Sequence, residues 1–191
     1  MTDRRYSTIV ADPPWPYPDD KRGWGVGVGA KSWRNEKRRT KTPYPSMPID
    51  TIRALPVAGI AAEQAHLYLW TTNRHLHEAF HVAEAWGFRH AQTLVWAKGP
   101  IGSFLGGAYG ANVEFILFCR RGTLATKARM TTSWFDWPRV GAGSHSRKPE
   151  GFLDIVEAIS PGPYVELFAR RARFGWDYWG DESLRTAELA V

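Results

Sequence analysis

The stretch whose reading decides the fold is Ile9-Val10-Ala11-Asp12-Pro13-Pro14-Trp15. Residues 6–11 are mostly β-branched or apolar, the composition of a buried strand. Pro13 and Pro14 have no amide hydrogen to give to a ladder, so the strand stops there. One carboxylate, two proline carbonyls and an indole are left at a strand's carboxyl end, the edge where open α/β sheets bind ligands. That set suits a planar group carrying an NH2. Asp12 accepts one amine hydrogen, a proline carbonyl the other, and Trp15 stacks on the ring. The plain alternative is a strand-to-turn stop in which Asp12 caps the turn.

Downstream, strands and helices alternate. Residues 16–45 carry Gly23, Gly25, Gly27 and Gly29 among prolines, charges and aromatics, with no helical or strand period, and read as a long mobile loop. A short helix is expected at 48–55, a strand at 66–71, and a helix at 74–86 capped by Asn73 and ended by Gly87. Further strands are expected at 91–98, 113–119, 164–168 and 174–179, and a helix at 150–159 between Pro149 and Gly162. The glycine-rich residues 99–112 contain no dinucleotide fingerprint, and 123–148 form a second long connection. Residues 183–191 read as a tail. There is no internal repeat and no linker, so 1–191 is expected to be a single α/β domain. The last two strands look like a hairpin, which makes the sheet mixed, though mostly parallel.

Bulk properties narrow the function classes. No run of eighteen apolar residues exists, so no membrane span is expected, and Met1-Thr2-Asp3-Arg4-Arg5 leads into a strand without a signal-peptide core. The lone Cys119 excludes an intramolecular disulfide or a cysteine-based zinc site, and its apolar neighbours make it a core thiol. A cytoplasmic location is the simplest fit. His77 and His81 are i, i+4 but lack a glutamate between them and a third ligand, so no metal is expected. The net charge of +6 sits mostly in residues 16–43, where Lys21, Arg22, Lys31, Arg34, Lys37, Arg38, Arg39 and Lys41 face Asp19, Asp20 and Glu36. A basic segment beside an amine-binding site points to a polyanionic substrate, and equally to a solvated loop.

Several segments together resemble the MT-A70 family of adenine N(6)-methyltransferases. They are Asp12-Pro13-Pro14-Trp15, Tyr44-Pro45-Ser46-Met47, Leu67-Tyr68-Leu69-Trp70-Thr71-Thr72-Asn73, Ala85-Trp86-Gly87-Phe88, His145-Ser146-Arg147-Lys148-Pro149-Glu150, Ser160-Pro161-Gly162, Glu166-Leu167-Phe168-Ala169-Arg170 and 176–182. The resemblance implies a Rossmann-like methyltransferase fold with a permuted motif order, the catalytic strand first and the cofactor-side strand late. It implies S-adenosylmethionine as methyl donor. It makes Asp12, Pro13, Pro14 and Trp15 the catalytic motif, with hydrogen bonds to Asp12 and the Pro13 carbonyl turning the adenine amine's lone pair toward the donor methyl.

By the same resemblance Lys148 lies at the methionine end of the cofactor, paired with its carboxylate or with Asp12. Arg170 lies near the ribose and Glu182 on the ribose hydroxyls. Trp15 and Tyr17 would sandwich the base, which must be unpaired or flipped. Asn112 and Glu114 resemble a family pair with a structural or a substrate role, and Lys37, Arg38 and Arg39 are expected on the nucleic-acid backbone. Trp134-Phe135-Asp136-Trp137, with Lys127, Arg129 and Arg139, could stack unpaired bases or pack in the core. DNA is expected as substrate, with RNA, or a non-catalytic nucleic-acid-binding subunit, as the alternatives. Longer relatives complete the cofactor's adenine pocket with a segment before the first strand. Here a symmetry mate in a homodimer, or the C-terminal end, would have to supply it.

Overall fold

A computed structural model describes residues 4–17, 46–99, 109, 112–137 and 148–180. Lys37, Arg38, Arg39, Arg139 and Glu182, most of the 16–45 loop and the 183–191 tail lie outside the described residues. The strands are β1 (Tyr6–Ala11), β2 (Ala61–Thr71), β3 (Arg89–Ala97), β4 (Val113–Arg121), β5 (Trp134–Phe135), β6 (Tyr164–Leu167) and β7 (Trp176–Trp179). They form one sheet in the order β5-β3-β4-β2-β1-β6-β7. The helices are α1 (Ile49–Ala54), α2 (Val57–Ile60), α3 (Leu76–Ala85) and α4 (Gly151–Ile159). This is the mixed, mostly parallel α/β sheet expected of a Rossmann-like methyltransferase.

The opening strand holds the centre because it can be buried on both faces. β1 pairs in parallel with β2 on one side and with β6 on the other. Ile9 and Ala11 pack with Leu67, Leu69 and Leu117 against Ile52, Val82 and Trp86 of the α1–α3 side. Val10 packs with Tyr68, Trp70 and Ile116 against Phe152, Leu153 and Val156 of α4. A strand covered on both faces is largely apolar, which is why Ile9, Val10 and Ala11 run together, and the buried Thr8 hydroxyl donates to the Pro161 carbonyl at 2.6 Å. Cys119 belongs to the first of these layers, and burial pushes its thiol up to about 12.

The hairpin expected at the chain's end is not there. β6 and β7 pair in parallel, and the single reversed strand is β4, antiparallel to both β2 and β3. The connection between β6 and β7 runs only from residue 168 to 175, shorter than the dozen residues a parallel crossover usually takes. It suffices because β6 has four residues, a rise of about 13 Å, whereas eight extended residues reach about 26 Å. Gly175, at φ +80°, makes the last turn into β7. The crossover is tied down by Arg173, whose guanidinium donates to Glu157 at 2.7 and 2.8 Å and to Asp154 at 2.6 Å, while the Trp176 indole donates to Glu157 at 2.6 Å.

Other boundaries shift for local reasons. The β2 strand begins at Ala61, and β5 lies inside the connection read as irregular. Asn73 is not a cap: it starts a 3-10 turn, Asn73–His75, without a side-chain capping bond, and α3 follows. Gly87, at φ +82°, does end that helix as its sequence suggests. Among the described residues no helix is long and apolar enough to cross a membrane.

A buried polar cluster joins β2 to the end of α4. His66 Nδ1 and the Tyr68 hydroxyl each lie 2.8 Å from the Ser160 hydroxyl, and His66 Nε2 donates to the Leu124 carbonyl at 3.1 Å. Burial lowers the His66 pKa below its ordinary 6.5. The unfolded chain therefore takes up the proton first as the pH falls, and the histidine's contribution to stability is lost below about pH 6.5. His66→Gln should be less stable than the parent by about 1 kcal/mol near pH 7.5, where the imidazole is neutral in both states. That gap should narrow by pH 5.5 in urea titrations. A gap independent of pH would contradict the assignment.

Candidate active site

Asp12 stands one residue past the last paired residue of β1, at the carboxyl end of the central strand. Its carboxylate meets two cations: Lys148 Nζ lies 2.9 Å from Oδ1 and Arg170 Nη2 lies 3.4 Å from Oδ2. Lys148 comes from the turn before α4, and Arg170 follows β6. The same Lys148 ammonium lies 3.1 Å from Glu114 Oε2 on β4, and Glu114 Oε1 receives Lys98 at the end of β3. The result is a row of alternating charge, Lys98–Glu114–Lys148–Asp12–Arg170, across the carboxyl edge of the sheet.

Burial works against the charges of Glu114 and Lys148, and the neighbours outweigh it. For Glu114 the loss of water would raise the pKa, but Lys148 and Lys98 hold the carboxyl below its ordinary range. For Lys148 burial would lower the pKa, but Asp12 and Glu114 hold the ammonium above the ordinary lysine value. The floor is aromatic: Lys148 Nζ sits 5.0 Å from the ring centre of Trp70, and Lys98 Nζ sits 4.9 Å from that of Trp96. Trp70 and Trp96 meet edge to face at 5.9 Å.

The rest of the opening motif is locked rather than open. The Trp15 indole N–H donates to the Trp70 carbonyl at 3.0 Å, and its ring stacks on His75, with centres 5.5 Å apart and planes 11° apart. Trp15 is only 5% exposed, so it has little free face for a substrate ring. Tyr17 meets His75 edge-on at 5.3 Å and donates to the Thr72 hydroxyl at 3.2 Å. The Pro13 carbonyl already accepts the Trp15 amide at 2.8 Å, and the Pro14 carbonyl accepts that of Met47 at 2.9 Å. A second acceptor for an amine must therefore be the remaining lone pair of one of these carbonyls.

Of the residues singled out in the sequence, Asp12, Lys148, Arg170 and Glu114 come together. Tyr17 and Trp15 pack on the turn after β2 instead. Asn112 accepts the Lys98 amide through its backbone carbonyl at 2.8 Å, which aligns the ends of β3 and β4. Lys37, Arg38, Arg39 and Glu182 are outside the described residues. Sequence reasoning missed Lys98, His75, Trp70 and Glu166. Lys98 had one usable signal, a cation at the carboxyl end of an apolar strand. Trp70 looked like any core aromatic.

Glu166 lies in register with Val10 and Tyr178 on the α4 face. Burial pushes its carboxyl up to about 7; Arg171 pulls it back, and the negative charge of Asp12 adds to the rise. A raised carboxyl pKa means stability is lost as the pH climbs from the ordinary carboxylate range through 7. Glu166→Gln should therefore gain on the parent in melting temperature between pH 5 and pH 8, and an unchanged difference would refute it. Glu114→Gln removes the one acid between two ammoniums. It should cost about 2 kcal/mol in urea unfolding, since Lys98 loses its carboxylate and the buried Lys148 keeps only Asp12. A loss below 1 kcal/mol would show that the charge row contributes little.

The MT-A70 family model matches residues 6–182. Type II methyltransferase M.MunI from a Mycoplasma species is 28% identical over 94% of this chain and 78% of its own length. The N6-methyladenosine RNA methyltransferase MTA1 of Cryphonectria parasitica is 28% identical over 94% of this chain, and the human N(6)-adenine-specific methyltransferase METTL4 is 26% identical over 95%. The chain spans about half of the former (52%) and 38% of the latter. The chain belongs to the MT-A70 family.

Proposed function

We propose that this MT-A70 chain transfers a methyl group from S-adenosylmethionine to the N(6) amine of adenine in DNA. The observation that carries the reading is Asp12 at the end of the central strand, its two oxygens facing cations and its neighbours forming one charged row. DNA rather than RNA is favoured because M.MunI is matched over most of its length and the RNA methyltransferase MTA1 over about half.

The donor set fits the proposed cofactor. The amino-acid end of S-adenosylmethionine carries a carboxylate and an ammonium, and this edge presents Lys148 and Arg170 beside Asp12. Lys148 and Arg170 would hold the carboxylate, and Asp12 the ammonium or the substrate amine; Glu182 would take the ribose hydroxyls. The cofactor, when bound, supplies a methyl on a sulfonium as electrophile.

On the substrate side, Asp12 accepts one hydrogen of the amine and the free lone pair of the Pro13 carbonyl accepts the other. Those bonds favour a pyramidal nitrogen whose lone pair points at the methyl. Asp12 orients the nitrogen and would face the positive charge that develops there, and the surplus amine proton leaves to solvent after transfer, so the gain comes from position and fixed electrostatics. Lys148 keeps the Asp12 carboxylate in one orientation through their 2.9 Å contact. Trp15 contributes by anchoring the Pro13–Pro14 turn to Trp70 and His75.

The test is methyl transfer from labelled cofactor to DNA and RNA oligomers. Asp12→Ala should lose about 10²- to 10³-fold in kcat while the fold persists by circular dichroism. Transfer by Asp12→Ala at the parental rate would sink the mechanism, and preference for RNA would move the substrate. Neutralising Lys37, Arg38 and Arg39 should reduce the slope of log K against log salt by up to about 3. An unchanged slope would take the 16–45 loop off the nucleic-acid backbone.

A further inference from the structure

The sheet register aligns a row of side chains that the chemistry above does not use. Thr71 on β2 is level with Phe115 on β4, Phe115 with Val95 on β3, and Val95 with Trp134 on β5. Residues level across a sheet share one face, here the face away from α4, since Trp70, Ile116 and Trp96 occupy the other. Exposure grows outward along the row. Thr71 is buried, Phe115 and Val95 are half-buried, and Trp134 is 57% exposed. The row starts two residues past the last β1–β2 pair, Ala11 with Leu69, and so begins level with the turn that carries Asp12.

An indole this open at the rim of a sheet is apolar area with no use inside the fold. Its backbone is held on both sides. The Thr132 hydroxyl donates to the Trp134 carbonyl at 3.0 Å and accepts its amide at 3.3 Å. The next residue, Phe135, stacks on Trp137 at 4.4 Å with planes 5° apart, and Trp96 donates to the Trp137 carbonyl at 2.8 Å. Lys127 and Arg129 are exposed on the segment leading into β5, and Asp136 is the one acid among residues 123–137. Lys127 is bound elsewhere, its ammonium donating to the Glu157 carbonyl of α4 at 2.6 Å, so the aromatic row itself, an open π-face continuous with the edge that carries Asp12, is what an unpaired base would stack on.

We propose that Phe115, Val95 and Trp134 form a shelf for unpaired bases flanking the target adenine, with the Trp134 indole as its outer stacking platform. This rests on the nucleic-acid reading above. Four strand spacings separate β1 from β5, so Trp134 lies about 19 Å from the Asp12 strand. That is about six nucleotides at the 3.4 Å rise of a stacked strand, and fewer in an extended one. The shelf therefore acts as a length-dependent contact: a long substrate reaches Trp134 and a very short one does not.

The test compares the parent, Trp134→Ala and Trp134→Phe on a single-stranded 20-mer with one central adenine and on a trimer with one nucleotide either side. For Trp134→Ala the KM on the 20-mer should rise about tenfold with kcat unchanged, whereas Trp134→Phe, which keeps a π-face, should stay within about threefold of the parent. On the trimer all three should be alike. An unchanged KM on the 20-mer, or an equal rise on both lengths, overturns the shelf. So does a dimer in sedimentation that Trp134→Ala dissociates with KM unaltered, which would make this rim a contact between copies of the chain. Fluorescence anisotropy of a labelled 20-mer reads the shelf without catalysis. If the parent methylates nothing, the function falls, while the shelf stands if Trp134→Ala binds the 20-mer about tenfold more weakly and falls if the two bind equally.

Discussion

The Lys148 ammonium, held between the carboxylates of Asp12 and Glu114, is the contact on which the carboxyl edge of the sheet depends. A charge taken out of water is costly unless its partners are in place, and each partner here is itself largely withdrawn from water. Lys98, Glu114, Lys148 and Asp12 come from β3, β4, the turn before α4 and β1. None of the inner charges is tolerable alone, so four separate segments must converge for any of them to be seated. The reversed strand matters here. Because β4 runs against its neighbours, its first residues lie at the edge where β1, β2 and β3 end, and this brings Glu114 to Lys98 and Lys148.

The same edge divides its work between charge and packing. Asp12 faces two cations, while Trp15, two prolines later, turns inward and fastens the motif to Trp70 and His75. A rigid motif is what the proposed transfer asks for, since acceptors that orient an amine must not move. His75 takes part by being neutral. Burial lowers its pKa, so the ring beneath Trp15 is an uncharged aromatic plane.

Much of this was legible in the residues. The mostly β-branched and apolar run of β1 announced a buried strand, and the two prolines announced where it ends. The alternation of strands and helices announced the layered α/β sheet, and the positive-φ glycine at 87 the end of α3. What misled was local resemblance. An eight-residue connection between two short aromatic strands looks like a hairpin, yet it crosses over in parallel, because Arg173, Trp176 and the carboxylates of α4 hold the return path. Asn73 looks like a cap, yet the chain tightens into a 3-10 turn that delivers His75 beneath Trp15.

By itself the sequence determined the central strand, the position of its carboxylate at the strand's end and the family to which that motif belongs, because strand propensity and the missing proline amides act between neighbours in the chain. Only the tertiary structure decided that Glu114 and Lys98 join Lys148 around Asp12, that Trp15 is a buried fastener, and that Trp134 is level with the turn that carries Asp12. Those facts follow from strand order, direction and register, which are set by how faces pack across the sheet and leave no periodic mark along the chain.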